Sequence, residues 1–500
     1  MSGIRQQMAR GAAWMLALRV IERSAAFAST LVLARLLVPA DFGLVAMATS
    51  LIAILEIFSA FGVDVVIIQR SDATREHYDT AWTLNILVAA VVAALMVLLA
   101  WPVSQYYRDP RLISILCLLA IGSLAQGFEN IGVVQFRKDM NFRWEFYFVF
   151  GKRMATLLLT IPLAIYLRNF WALVIGTVAG RFVGIALSFW MHAYRPRFSL
   201  QKLSDFVHFS KWLIPQNLLT FMRERGADFI VGRMAGAHSL GILNAATEIS
   251  NIPGGELVAP INRALLPAYA KLAGDPDGLR REYLSVMAVI ILIAIPAIVG
   301  LAAVAPYAVG LLLGPQWHEV VPILSILAFF GVLRVVSSNA YAAFLAIGRP
   351  DIFVRITAVN VVILVPLLIV MTKMYGLVGA AWAYVIAAFA SLAPTVTSIL
   401  RTLALRFSDL FAHVWRPIVS SVFMYVVLNA LTPEVNLQTL STADSALQLA
   451  LFIPLGAVAY VGCVMGLWYA SGRPEGAEAM MLRKVLAYVG PRLRAGAKTS

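Results

Sequence analysis

Arg19, Glu22 and Arg23 stand at i, i+3 and i+4 inside an otherwise apolar run that begins at Gly11. At 3.6 residues per turn these positions share one helix face. Two guanidinium groups beside one carboxylate leave a surplus positive charge, and the guanidinium fork pairs with phosphate oxygens. The patch suits an anionic headgroup; an internal ion pair that only lets the helix insert is the other account. A second set, FMRERGADF, gathers Arg223, Glu224, Arg225 and Asp228. Arg225 and Asp228 are three apart and Glu224 and Asp228 four, so this set is nearly neutral. It reads equally as a ligand site or as a structural network.

A charge at the centre of a bilayer costs about 2.5–3.5 kcal/mol or more, so carboxylates inside apolar runs are informative. Glu56, Asp64, Glu129, Glu248 and Glu256 are of this kind. Glu22, Glu56 and Glu248 are the candidates for coupling transport to an ion, Glu22 first because it adjoins two arginines. Glu256 follows Pro253, Gly254 and Gly255, where a helix either breaks to line a wet cavity or merely kinks. Lys152, Arg153, Arg181, Arg263 and Arg334 lack clustered partners and read as snorkelling or locally paired, as do Arg35 and Arg233 at span ends. No nucleotide-binding lysine loop, GxSxG or metal-ligand spacing occurs. No catalytic residue, metal or cofactor is therefore expected, and the chain reads as a non-enzyme.

The elements that must position these residues follow from composition. Of 500 residues 61% are hydrophobic and 13% charged, against roughly 25% charged in an ordinary soluble domain. A water-soluble protein could not cover such a surface, so the solvent is lipid. The formal charge of +14 then reads as positive-inside loops rather than as a nucleic-acid surface. Windows of about 20 apolar residues fall near 11–37, 42–67, 80–102, 111–136, 145–167 and 170–193. They continue near 210–234, 239–266, 283–305, 320–346, 352–372, 377–400, 412–431 and 447–470. The first reads as a retained span, because charges interrupt it, rather than as a signal peptide.

Arg and Lys concentrate in alternate loops, such as Arg195, Arg197 and Lys202 or Arg280 and Arg281, which places both termini in the cytoplasm. Trp14, Trp101, Trp212 and Trp317 read as interfacial anchors, and residues 477–493 as an amphipathic surface helix. Cys117 and Cys463 lie far apart in apolar runs and read as small buried hydrophobes, not a disulfide.

ARLLVPADFGLVAMAT (34–49) aligns without gaps on GRMAGAHSLGILNAAT (232–247), pairing Arg35 with Arg233 and Gly43 with Gly241. The expected fold is thus all-α: a polytopic membrane protein of about fourteen helices, two pseudo-symmetric six-helix lobes plus two further helices. The boundaries read as 1–194 for the first lobe, 195–209 for a cytoplasmic connection and 210–401 for the second lobe. Residues 402–471 form the extra pair and 472–500 a basic cytoplasmic tail. Repeats with an even span number are parallel and leave a cleft between lobes.

At Ala34, Arg35, Leu37, Pro39, Asp41, Phe42 and Gly43 the chain resembles the polysaccharide transporters of the multidrug/oligosaccharidyl-lipid/polysaccharide flippase superfamily. VVQFRKDMNFRWEF (133–146) resembles a loop of the same family. The branch it resembles is the lipopolysaccharide and colanic-acid exporter type, over roughly residues 1–400. The resemblance implies a flippase of undecaprenyl-diphosphate-linked oligosaccharide in the bacterial inner membrane, working by alternating access. Its partners would be that anionic lipid, membrane lipids and other polysaccharide-assembly proteins, with no nucleic acid. Arg19 and Arg23, then Arg223 and Arg225, would be the substrate-binding arginines. A multidrug or cation antiporter of related fold, and a membrane glycan polymerase or ligase, are the alternatives. The arginine surplus opposes the first and the short outer loops oppose the second.

Overall fold

The structure, a computed structural model, describes residues 28–59, 63–70, 72–204, 206, 213–272, 274–432 and 441–483, with Trp14, Ile21 and residues 24–26. Every regular element among the described residues is helical. They are α1 (Ser24–Leu36), α2 (Pro39–Ser59), α3 (Val63–Gln69), α4 (Arg75–Tyr107), α5 (Arg111–Gly127), α6 (Val134–Lys138), α7 (Phe142–Leu167), α8 (Trp171–Met191) and α9 (Leu213–Pro253). After a π-helical turn, Gly254–Val258, come α10 (Ala259–Leu272), α11 (Pro276–Ala303), α12 (Ala305–Leu312), α13 (Val320–Ala346), α14 (Pro350–Thr402), α15 (Phe407–Leu431) and α16 (Thr442–Ala470).

Among the described residues nine helices are long and apolar enough to cross a membrane, or ten if the pair Arg111–Gly127 and Ile131–Lys138, bent by 62°, is one span. That is fewer than the expected fourteen, in part because α14 and α9 each hold two helices joined at a kink. α14 turns at Gly376, between the expected spans 352–372 and 377–400, with a φ of 60° and ψ of −139° that suit only glycine. α9 breaks likewise at Gly236, with φ 82°. Its Arg223, Glu224, Arg225 and Asp228 lower its hydropathy. Much of the first expected span lies outside the described residues.

Local chemistry sets the helix ends. Asp275 accepts the Gly278 N–H at 3.0 Å ahead of Pro276, so an N-cap and an N1 proline start α11 together. Ser441 caps α16 through the Asp444 N–H at 3.0 Å. α4 ends on Arg108 in the left-handed region (φ 59°), and Arg111 grips Asp109 at 2.7 Å in the turn to α5. That guanidinium holds the Asp109 carboxyl below the usual carboxylate range.

The chain forms two compact units, Met1–Gly241 and Ile242–Ser500. In the first, α4 packs on α5, α5 on α8 and α7 on α8. In the second, α11 packs against α13 and α15, and α13 against α14. Its core holds a polar knot in which the Tyr269 hydroxyl donates to Asn339 Oδ1 at 2.8 Å and Asn339 Nδ2 donates to the Tyr283 carbonyl at 3.3 Å. Trp317, expected at the interface, is instead 1% exposed; the 3₁₀ turn Pro315–Trp317 folds it inward. Trp101 is exposed as expected.

Pro253 does not break the helix into which it is built. The π turn that follows carries the chain into α10. Cys117 and Cys463 are free and half-buried.

Candidate functional site

The repeated motif has a structural role that can be followed atom by atom. Asp41 accepts the backbone N–H of Val38 at 3.2 Å and that of Phe170 at 3.0 Å. One carboxylate therefore ties the start of α2 to the start of α8. Two residues on, Gly43 runs against Ala237: an ideal Cβ there would stand 1.7 Å from the Ala237 carbonyl oxygen. Gly241, its repeat equivalent, would place a Cβ 1.9 Å from the carbonyl oxygen of Pro39. Val38, just before α2, and Gly236, at the break in α9, are also equivalent, so both copies of the repeat turn at the same place.

Two turns further along α2, Ser50 Oγ donates to Asp228 Oδ2 at 2.8 Å. Asp228 also receives Arg225 at 3.4 Å, and its side chain is 4% exposed against 51% for Arg225. Arg223 pairs with its neighbour Glu224 at 3.2 Å, both at the surface of the unit. The FMRERGADF set thus divides: Asp228 is anchored to α2, while Arg223 and Arg225 keep accessible guanidinium groups. Arg19, Glu22 and Arg23 lie outside the described residues. Glu248 is exposed on α9, past the Gly236 break. Arg233 lies over the Tyr106 ring at 5.7 Å.

Glu56 leads to a feature that sequence spacing does not show. With Asp64, Asn85, Ser123, Gln126, Glu129 and Arg137 it lines a cavity of about 380 Å³ inside the first unit. Cations from three directions meet these carboxylates. Lys152 Nζ donates to Glu129 at 2.5 Å. Arg137 reaches Glu145 at 2.8 Å and Asp64 at 3.5 Å. Arg181 donates to Ser123 Oγ at 2.7 Å and attracts Glu56. Lys152 and Arg181, which looked unclustered in the sequence, are partnered across α5, α7 and α8. Helical periodicity reports only neighbours on one helix, so these pairs between helices leave no local signal.

The segment after α8 is strapped along α4. The Tyr194 hydroxyl donates to Asp79 Oδ1 at 2.6 Å, and the Arg197 N–H donates to the same oxygen at 2.7 Å. Ser199 N–H donates to Thr83 Oγ1 at 2.9 Å, and Lys202 N–H to Thr80 Oγ1 at 3.3 Å. Part of the stretch expected as a cytoplasmic connection is thus hydrogen-bonded along the start of α4.

Among the described residues no group of His, Cys, Asp and Glu could hold a metal ion. The family described as polysaccharide biosynthesis protein matches residues 32–322, more than half of the chain. The chain belongs to that family. It is similar to the lipopolysaccharide biosynthesis protein WzxC of Escherichia coli K12, 26% identical over 384 residues that cover 75% of this chain and 77% of that one. It is also similar to the structure of the lipid II flippase MurJ in an inward closed conformation, with TM-score 0.72, 12% identity and coverage of 92% and 100%. An inward-facing multidrug resistance transporter of the superfamily shares the fold at TM-score 0.58 and 16% identity, covering 77% and 95%. The family match begins just before Asp41 and Gly43 and runs past Gly241. The residues that resemble the polysaccharide transporters are therefore those that fix the crossing of α2 and α9.

Proposed function

We propose that this protein flips undecaprenyl-diphosphate-linked oligosaccharide from the cytoplasmic to the periplasmic leaflet of the bacterial inner membrane, supplying exopolysaccharide or lipopolysaccharide assembly. The observation that carries this reading is the coincidence of polysaccharide-biosynthesis family membership with the fold of a lipid II flippase along nearly the whole chain. In this reading the two six-helix lobes alternate access to a cleft between them, the last two helices are additions, and both termini are cytoplasmic. Arg19, Arg23, Arg223 and Arg225 receive the diphosphate, because guanidinium groups stay charged and bind its oxygens in pairs. Arg223 and Arg225 support it by their exposure beside an anchored Asp228.

An anionic headgroup leaving an inside-negative cytoplasm moves down the electrical gradient, worth about 2.3 kcal/mol per charge per 100 mV. Glu22, Glu56 and Glu248 are the candidates for a returning proton that resets the empty carrier. A cation exporter of the same fold would need surplus carboxylate along its path, whereas the first expected span carries surplus arginine.

Deletion of the gene in a polysaccharide-producing strain tests the reading. Lipid-linked repeat units should accumulate on the cytoplasmic leaflet, and export should return with the parental protein but not with Arg23→Gln. Normal export from the deletion strain would contradict it.

A further inference from the structure

We propose that the cavity in the first unit is a subsite for the sugar residues of the transported lipid. The proposal rests on the flippase reading above and adds where the glycan is held. Glu56 is accessible although its helix is long and apolar enough to cross a membrane, and Gln126 is accessible at the end of α5. Polar groups so placed face a wet recess rather than lipid. The volume, about 380 Å³, falls in the range of roughly 300–1,000 Å³ usual for small-molecule sites.

Its charges are mostly paired in place. Glu129 is held by Lys152, Asp64 and Glu145 share Arg137, and Arg181 attracts Glu56, so three cations stand against four carboxylates. A diphosphate would meet fixed carboxylates there, and a free cation would compete with three fixed ones. A neutral polyhydroxyl group meets neither obstacle.

The remaining lining matches hydroxyl chemistry. The side-chain amides of Asn85 and Gln126 make no hydrogen bond among the described residues, and each offers two donors and one acceptor. Beside the lining Arg137, Glu145 Oε2 is buried with no hydrogen-bond partner among the described residues. Neighbouring sugar hydroxyls both donate and accept, so they complement amides and carboxylates held still by their ion pairs. A site built this way favours a hydroxyl-bearing ligand, because the Asn85 and Gln126 amides and Glu145 Oε2 are not spent on partners among the described residues.

The test measures binding to the purified full chain by native mass spectrometry with two probes. One is the undecaprenyl-diphosphate-linked repeat unit extracted from a producing strain; the other is undecaprenyl diphosphate without sugar. The parental protein should bind the glycosylated lipid more tightly. Asn85→Ala and Gln126→Ala should each weaken that binding about tenfold, the loss of one hydrogen bond, and leave the bare diphosphate unchanged. Parental affinity for both probes in both variants would overturn the subsite, and so would an equal loss for both probes, which marks a structural role. A parental protein that binds both probes equally would also overturn it while leaving diphosphate recognition standing. A parental protein that binds neither would instead bring down the flippase reading.

Discussion

Gly43 and Gly241 hold equivalent places in the repeat and make equivalent contacts. Gly43 abuts Ala237, and Gly241 abuts Pro39, which is the repeat equivalent of Ala237. A contact that maps onto itself when the copies are exchanged is what a local two-fold axis produces. The backbones can approach this closely only where the residue facing the other segment's carbonyl has no Cβ, as at Gly43 and Gly241.

Gly43→Ala and Gly241→Ala should therefore each force backbone apart. Overpacking of a filled site costs about 1–3 kcal/mol even where side chains can yield, and here the obstacles are carbonyl oxygens. Thermal unfolding in detergent should fall for both variants, and polysaccharide export should fail. Gly466→Ala, which meets nothing within 4 Å, should leave the melting temperature unchanged or slightly raised.

Arg416 and Glu478 form a buried pair in the second unit, 2.8 Å apart, with side chains 7% and 2% exposed. Residues 477–483, expected on the leaflet surface, instead bring Ala477 and Met481 into the core beside Met424 and Phe452. Glu478→Gln leaves a buried guanidinium without its counter-charge and should cost about 3–5 kcal/mol. The double variant Arg416→Met with Glu478→Leu should recover most of that loss. Melting curves of Arg416→Met, Glu478→Leu and the double variant give the coupling directly, and additive losses would remove the pair from the account.

Asp79 holds the strap after α8 through Tyr194 and Arg197. Hydrogen bonds to a charged group are worth about 1.5–3 kcal/mol each, so Asp79→Ala should release the segment. Limited trypsin digestion of the purified protein should then cut after Arg197 at least about tenfold faster than in the parent. Unchanged cleavage would show that Thr80 and Thr83 hold the strap alone.

The proposed orientation places the α15–α16 connection outside and the end of α16 inside. An impermeant thiol reagent on intact cells should label Ala443→Cys and spare Ser471→Cys until the membrane is permeabilised. Labelling in the reverse order would invert the topology.

Much of the fold was legible because lipid is a simple solvent: apolar runs of span length, alternate basic loops and a gapless repeat are all written along single helices. The turns at Gly236 and Gly376 fall between spans that the apolar windows kept apart, whereas the four charges of α9 lower its hydropathy as a span. Trp317 looked interfacial because composition cannot report which way a 3₁₀ turn folds a ring. The candidate site was legible only in part. Spacing found Arg225 with Asp228 but not the Ser50 hydroxyl from another helix. Glu129, Lys152 and Arg181 looked isolated because their partners are supplied by packing. The motif at Asp41 and Gly43 revealed the family without revealing its role as a cap and a crossing point.

The central claim is movement of an anionic lipid-linked oligosaccharide. Purified protein in proteoliposomes, given a fluorescent undecaprenyl-diphosphate-linked oligosaccharide and an imposed potential, tests it most directly. Transfer across the bilayer should exceed that in protein-free liposomes, run faster from the negative side, and drop sharply in Arg23→Gln and Arg225→Gln. Transfer no greater than in protein-free liposomes, or unchanged in both arginine variants, would contradict it.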